Sequence, residues 1–476
     1  MKETKLIDAL RQLSTRERTR YGELACSPFF NKNQKVRRLV GHILKAAPDF
    51  DTPGLDKAIV FTVVFGKGKT YDEYKLNNII SDAGQLLYEY LAQHRLQNEP
   101  LSRRTFLIEE LIARRLGRHL PQAIRRNHQL LEQEESRSVA YFLQEHRLAE
   151  QQDRFALIRE TRSFNPYLQD MSDALDRYYW CSKLRIACDM ASRNQAISAA
   201  YQCHFIETIQ EAYRQAPPVL QQQPALQAYF TALQMLETEA EEHYRALRSL
   251  LQSQPPLPRE ELYDLYDYAQ NFCVKKINSG QTQYYAEILA QYKEMLDRRI
   301  LLRQGYLTQW SYINIVTAGI RLREFEWTEQ FIRTYREQLD PEVRDNVYAY
   351  NLATLYFEQG HFARALQSLQ DVEFSDAFYH MAAKLIQLKS YYELDETEAF
   401  FSLIEASRKY IRRNRQLSDY QKQSNTNFLK LVSRLFNFRL RGVQPPQLEQ
   451  LARELDSNKP FANKGWLRGK IGELNG

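Results

Sequence analysis

The segment YAYNLATLYFEQGHFARALQSL, residues Tyr348 to Leu369, decides how this chain folds. Leu352, Leu355 and Tyr356 recur at three- and four-residue intervals, the spacing that puts side chains on one face of an α-helix. Gly360 then breaks the pattern, and glycine turns a chain easily because it enters the left-handed backbone region without a Cβ clash. Phe362, Ala365, Leu366 and Leu369 restart the same periodicity. The segment therefore reads as two helices joined by a tight turn, with the small Ala365 where their backbones come close.

The large–small pair Leu352-Ala353, then Tyr356, the turn glycine Gly360, the aromatic Phe362 and the small Ala365 resemble the tetratricopeptide signature. Equivalent turns are expected at Glu324, in LREFEWTEQF, and at Asp395, in YELDETEAFF, which lie 36 and 35 residues from Gly360. That family repeats about every 34 residues. The outer copies diverge: Glu329 stands in the place of Ala365 in the first, and in the third Asp395 replaces the glycine while Ala399 falls one residue early. Pro341 stands where the family often ends a repeat. The likeness covers residues 310 to 414 and implies an all-α fold, a tetratricopeptide-like α-solenoid of stacked helix pairs. As a whole the chain also looks like a class of bacterial helical-repeat proteins, a likeness that implies a fold and no activity.

The resemblance further implies an inner, concave wall lined by the first helix of each pair, where such proteins bind extended peptides or helices. Asn314, Tyr350, Asn351 and Thr354 are its expected floor. Some members clamp a terminal carboxylate, and Asn351 matches one clamp asparagine. The other clamp positions hold Asn314 and Ala318 where a lysine and an asparagine are wanted. Lys384 and Lys389 are five residues apart rather than four. The clamp is thus incomplete, and Asn351 reads as a structural hydrogen-bonding residue.

Upstream, Pro224 to Leu251 and Leu262 to Leu301, with a turn at Ser279-Gly280, keep the period of a helix pair without the motif. Proline-glutamine clusters at Gln215 to Pro224, Gln252 to Pro258 and Gln444 to Pro446 mark connections, because proline lacks a backbone donor and pushes the preceding residue out of the α region. Tyr167 to Ala216 reads as two long aromatic-rich helices. The expected organisation is a small N-terminal helical domain at 1–95, bridging helices at 96–165, divergent helix pairs at 166–305, and the tetratricopeptide-like repeats with C-terminal capping helices at 306–476.

Only 16 glycines and 16 prolines punctuate 476 residues, and 43% of the chain is hydrophobic, which favours long helices over many short strands. Leu6, Leu10 and Leu13 share a helical face in the opening segment, which lacks the continuous apolar region of a secretory signal. No apolar run approaches the roughly 20 residues of a membrane-spanning helix. Five cysteines without CxxC spacing suit a reducing cytoplasm.

Charge is segregated. Residues 1–130 carry 23 Lys/Arg against 14 Asp/Glu, residues 401–476 carry 15 against 6, and the middle is acidic. The densest basic run, SRKYIRRNRQ, puts Arg408, Arg412 and Arg415 on one side of a helix with Lys409 and Arg413 on its flank, followed by Arg434, Arg439 and Arg441. Arg114, Arg115, Arg118, Arg125 and Arg126 form a second patch. These ends suit an acidic protein partner or nucleic-acid phosphates, although no nucleic-acid reading motif accompanies them.

No chemistry-bearing motif survives inspection. AIVFTVVFGKGKT imitates a phosphate loop, but the first glycine of G-x-x-x-x-G-K-[ST] would have to stand at Val63; it reads instead as a buried helix ending at a glycine cap. Cys203-His204 and the pair Cys181 and Cys188 lack further ligands at zinc spacing. Glu109-Glu110 and Glu134-Glu135 sit in charged helices, and no G-x-S-x-G elbow occurs. The expectation is a non-enzymatic scaffold without cofactor, metal or membrane segment, binding a protein or peptide on the concave face. The alternative is a nucleic-acid-associated protein using its basic ends.

Overall fold

A computed structural model describes residues 1–158, 164–197, 200–303, 305–370, 377–442, 444–457 and 459–475. The bridging segment expected at 96–165 and the end of the long helix after Tyr167 therefore fall partly outside the described residues. Within them the chain is helical, and no β-strand forms beyond two isolated bridges, Arg303 with Tyr306 and Leu307 with Leu339. No described helix is long and apolar enough to cross a membrane. The chain divides into two compact units, Met1–Ser182 and Lys183–Gly476.

The N-terminal unit begins with α1 (Lys5–Arg11), α2 (Thr15–Cys26), α3 (Gln34–Ile43), α4 (Lys57–Phe65) and α5 (Glu73–Gln97). Ser14 and Glu17 form a capping box at the start of α2, satisfying two orphan donors of that helix. Leu6, Ile7, Leu10, Tyr21, Leu39, Phe50, Val60 and Leu87 join one core, and Tyr21 donates its hydroxyl to the Ala83 carbonyl at 2.7 Å. α4 is the helix that mimics a phosphate loop. It ends at Gly66, and only one of its faces is buried, since Ile59 and Val63 are exposed. The expected buried helix ending at a glycine is thus present, with Val60, Phe61 and Val64 on its buried face. α6 (Pro100–Ala113), α7 (Leu120–Glu132) and α8 (Val139–Ile158) surround a second core at Ile108, Leu120 and Leu148. The long α9 (Pro166–Ile197) contains the division between the units.

The C-terminal unit continues with α10 (Ile206–Gln215) and the single turn α11 (Pro218–Gln221), which lies inside the first proline-glutamine connection. Of the two long helices expected between Tyr167 and Ala216 only α9 is long, because α10 has ten residues before proline ends it. Five antiparallel helix pairs follow: α12 (Pro224–Thr238) with α13 (Glu241–Gln252), α14 (Arg259–Asn278) with α15 (Tyr284–Asp297), α16 (Gln309–Arg321) with α17 (Phe325–Thr334), α18 (Arg344–Glu358) with α19 (Phe362–Ser368), and α20 (Ala377–Glu393) with α21 (Thr397–Arg413). Each first helix of the last three pairs packs on the next, α16 on α18 and α18 on α20. The unit closes with α22 (Asp419–Arg441), α23 (Pro445–Asp456) and α24 (Lys464–Asn475) over a core of Leu388, Tyr392, Phe400, Phe436 and Leu467.

The turn geometry fixes the register of the last three pairs. His361 N–H donates to the Tyr356 carbonyl at 2.8 Å, Glu324 N–H to the Gly319 carbonyl at 2.9 Å and Glu396 N–H to the Tyr391 carbonyl at 3.0 Å, the same bond across each helix end. The left-handed residues are Gly360, Arg323 and Asp395. In the first pair the turn residue is therefore Arg323, one position before the expected Glu324. This moves the counterpart of the fully buried Ala365 to the equally buried Thr328; in the third pair the turn stands at the expected Asp395, and the buried Phe400 holds the corresponding position. Glu329 instead accepts from the Tyr356 hydroxyl at 3.0 Å and pairs with Arg333.

Thr328 lies against Gly319, where an added Cβ would fall 2.1 Å from its Oγ1. Gly319→Ala is expected to destabilise the chain by about 1–3 kcal/mol through overpacking. The double variant Gly319→Ala with Thr328→Ala should recover most of that loss in urea denaturation. An additive double variant would show that the contact is not the cause.

Candidate functional site

A partly polar cavity in the C-terminal unit lies along the first helices of successive pairs. A cavity of about 290 Å³ is lined by Thr317, Ile320 and Arg321 of α16, by Tyr350, Thr354 and Glu358 of α18, and by Ala382, Leu385, Ile386 and Lys389 of α20. Asn463, in the connection between α23 and α24, completes the wall. The residues repeat at helical spacing, three or four apart on each helix, because one face of each helix is turned to this space.

Lys389 is the unusual member. It is 6% exposed, its Nζ stands 4.2 Å from the Phe357 ring centroid, and it reaches Asn463 Oδ1 at 3.4 Å. Among the described residues no carboxylate lies at ion-pair distance from it. Burial pushes its amine down to about 8; Glu358 and Glu393 oppose that shift from a distance and Arg321 adds to it. Charged side chains are almost never buried without a partner, so this amine is a feature that packing alone does not explain. Arg321 is exposed at the rim of the same cavity.

Of the four residues expected on the groove floor, the structure brings Tyr350 and Thr354 together on the cavity wall, and Thr354 Oγ1 donates to the Tyr350 carbonyl at 2.8 Å. Asn351 is 1% exposed and donates to the Val347 carbonyl at 2.7 Å, inside the helix packing. Asn314 is exposed, with Nδ2 at 3.5 Å from the Tyr292 hydroxyl, and is not part of the lining. The one-residue register shift in α16 explains this: the chain turns at Arg323, so Thr317 occupies the cavity position. Lys389 was visible in the sequence only as half of a failed pair. Its burial next to Phe357 had no local signature.

A second space of about 190 Å³ adjoins the first, lined by Met381, Ala382, Leu385, Leu417, Tyr420 and neighbouring polar residues. Ala382 and Leu385 form part of both walls. The connection carrying Asn463 is held in place by Ala462 N–H to the Ser424 carbonyl at 3.3 Å and by Asn427 Nδ2 to the Pro460 carbonyl at 2.9 Å.

The basic run lies elsewhere on α21. Arg408 is paired with Glu405 at 2.7 Å, while Lys409, Arg412, Arg413 and Arg415 are exposed. The expected helical row of Arg408, Arg412 and Arg415 is broken, because α21 ends at Arg413. Asn414 Oδ1 then accepts from the Gln416 and Leu417 amides at 2.8 and 3.1 Å and turns the chain before Arg415 can join the face. Arg434 and Arg439 are used in ion pairs with Glu454 and Asp395. In the second patch Arg114 pairs with Glu110.

Among the described residues no group of three or more His, Cys, Asp or Glu side chains gathers at metal-binding distance. Cys181 and Cys188 are buried, and Cys188 Sγ donates to the Tyr229 carbonyl at 3.3 Å, while Cys26 is exposed. Comparison of the chain with protein-family models, with curated proteins and with solved structures returned no match.

Proposed function

We propose that the last three helix pairs are tetratricopeptide-like repeats and that the protein is a non-enzymatic scaffold, holding a segment of a partner protein against the first helices of those pairs. One observation carries the reading: α16, α18 and α20 each contribute side chains at three- and four-residue spacing to one continuous cavity, so a ligand there touches three successive pairs at once. Such a surface offers apolar walls at Ile320, Leu385 and Ile386 with a few polar groups between them, the composition that orients an extended or helical segment. Several arginines of the basic ends are already engaged with carboxylates.

The test is a photo-activated cross-linking residue at Glu358, which is exposed and lines the cavity, against the same residue at Glu398, which is exposed on the second helix of its pair. In lysate from the native cell, adducts are expected from position 358, mapping to one short stretch of each captured protein. Equal adducts from both positions, or none from 358, would refute the scaffold reading.

A further inference from the structure

We propose that the segment held in this groove presents an acidic side chain to Lys389 and Arg321 and, a few residues along, an apolar side chain to the adjoining space at Met381, Leu385 and Leu417. The inference rests on the groove being a protein-binding surface and adds the chemistry of what binds there.

Charge supplies the first half. The described lining holds two cations, Lys389 and Arg321, against one carboxylate, Glu358. Lys389 is buried, and among the described residues its polar partner is the single neutral oxygen of Asn463 at 3.4 Å. An ammonium has three donors, and leaving them unmatched away from water is unfavourable. A carboxylate is the group that meets this need, by a charge-assisted hydrogen bond in a water-poor space. Because burial lowers the amine only to about 8, it still carries its charge at neutral pH. Phe357, 4.2 Å away, holds the charge from one side and leaves the cavity side for an incoming anion.

Shape supplies the second half. The adjoining space of about 190 Å³ is walled by Met381, Leu385 and Leu417, with Tyr420, 70% exposed, at its edge. It shares Ala382 and Leu385 with the polar cavity, so one partner segment reaches both. Side chains on one face of an extended segment stand about 7 Å apart, the distance over which an acidic residue and an apolar residue two positions on enter neighbouring spaces.

The test uses the full chain. A phage-displayed library of random dodecapeptides is selected on the native protein and, in parallel, on Lys389→Met, and the leading sequence is synthesised for fluorescence anisotropy. Selected peptides should carry Asp or Glu within a few positions of Leu, Ile, Met or Phe. Affinity should fall at least tenfold on Lys389→Met. Changing the peptide's acidic residue to its amide should weaken binding to the native chain by a similar factor and weaken binding to Lys389→Met, where Arg321 remains, by a clearly smaller one. The charged groups facing the amine are Arg321, Glu358 and Glu393. Affinity is expected to be level below about pH 8 and to decline above it as Lys389 loses its proton, with no such decline in Lys389→Met.

Selected peptides that lack an acidic preference and bind Lys389→Met equally well would overturn this inference while leaving the scaffold reading intact. Absence of any enriched sequence, or binders that cross-link away from Glu358, would overturn both.

Discussion

Replacing Lys389 by methionine is expected to stabilise the folded protein by about 3 kcal/mol at neutral pH. The figure follows from moving a lysine from its ordinary 10.5 to about 8 on folding, at about 1.4 kcal/mol per pKa unit. The direction follows from the order of the two values. Below about pH 8 both states hold the proton, and the folded state bears the full penalty of a buried charge. Between about 8 and 10.5 the unfolded chain binds more protons than the folded one, so native stability rises with pH. Methionine keeps an unbranched apolar stem beside Phe357 and removes the charge. Its advantage should therefore shrink across that window and vanish above it. Arg321, Glu358 and Glu393 are the charged groups whose fields set the amine's position in it.

Urea denaturation at pH 7 and at pH 10, followed by tryptophan fluorescence, measures this. Trp310, Trp327 and Trp466 lie in the same unit as Lys389. A variant less stable than the native chain at pH 7 would mean that the amine is held by favourable contacts rather than tolerated. Stability gained together with peptide binding lost would mark Lys389 as a residue kept for use, as strained binding groups commonly are.

The second large effect concerns Arg248, where alanine is expected to cost about 2–3 kcal/mol, below the range for a fully buried ion pair because the Glu294 side chain keeps 30% of its exposure. Arg248 is 6% exposed on α13 and meets Glu294 of α15 through two nitrogens, at 3.0 and 3.1 Å. The Tyr266 hydroxyl donates to the same carboxylate at 3.0 Å, so three helices of two adjoining pairs converge on one charge. Burial alone would raise the Glu294 carboxyl, but the Arg248 hydrogen bonds and charge and the Tyr266 hydroxyl outweigh it and hold it below the ordinary glutamate value. A carboxyl lowered on folding contributes stability that is complete above its unfolded value and is lost as pH falls through the folded one. Arg248→Ala should accordingly lose most at neutral pH and flatten the acid side of the stability profile. Arg248→Met combined with Glu294→Met should recover most of the loss, since apolar replacement of a whole buried pair is often neutral or better. If the double variant is as unstable as Arg248→Ala, packing rather than an orphaned charge explains the loss.

Much of the helical framework was legible in the sequence because it depends on local rules. The spacing of Leu352, Leu355 and Tyr356, and the proline clusters at Pro217-Pro218 and Pro255-Pro256, mark helices and connections through backbone sterics that act within a few residues. The turn at Arg323 was less legible. Arginine rarely takes the left-handed conformation, and here it does so because Thr328 packing on Gly319 fixes where α16 must end. That one-residue shift removed Asn314 from the cavity and brought Thr317 into it. The row of Arg408, Arg412 and Arg415 failed for a related reason, since a side-chain cap at Asn414 ended the helix first.

By itself the sequence determined that the chain is helical and where most of its helix pairs begin and end, because periodicity, glycine turns and proline breaks are properties of short stretches of chain. Only the tertiary structure decided which groups share a cavity. Lys389 and Thr354 are 35 positions apart and Asn463 is 74 beyond Lys389, and their meeting depends on how α18 packs on α20 and where the connection before α24 settles. Desolvation, which makes Lys389 unusual, is the sum of those distant contacts and leaves no trace in the residues beside it.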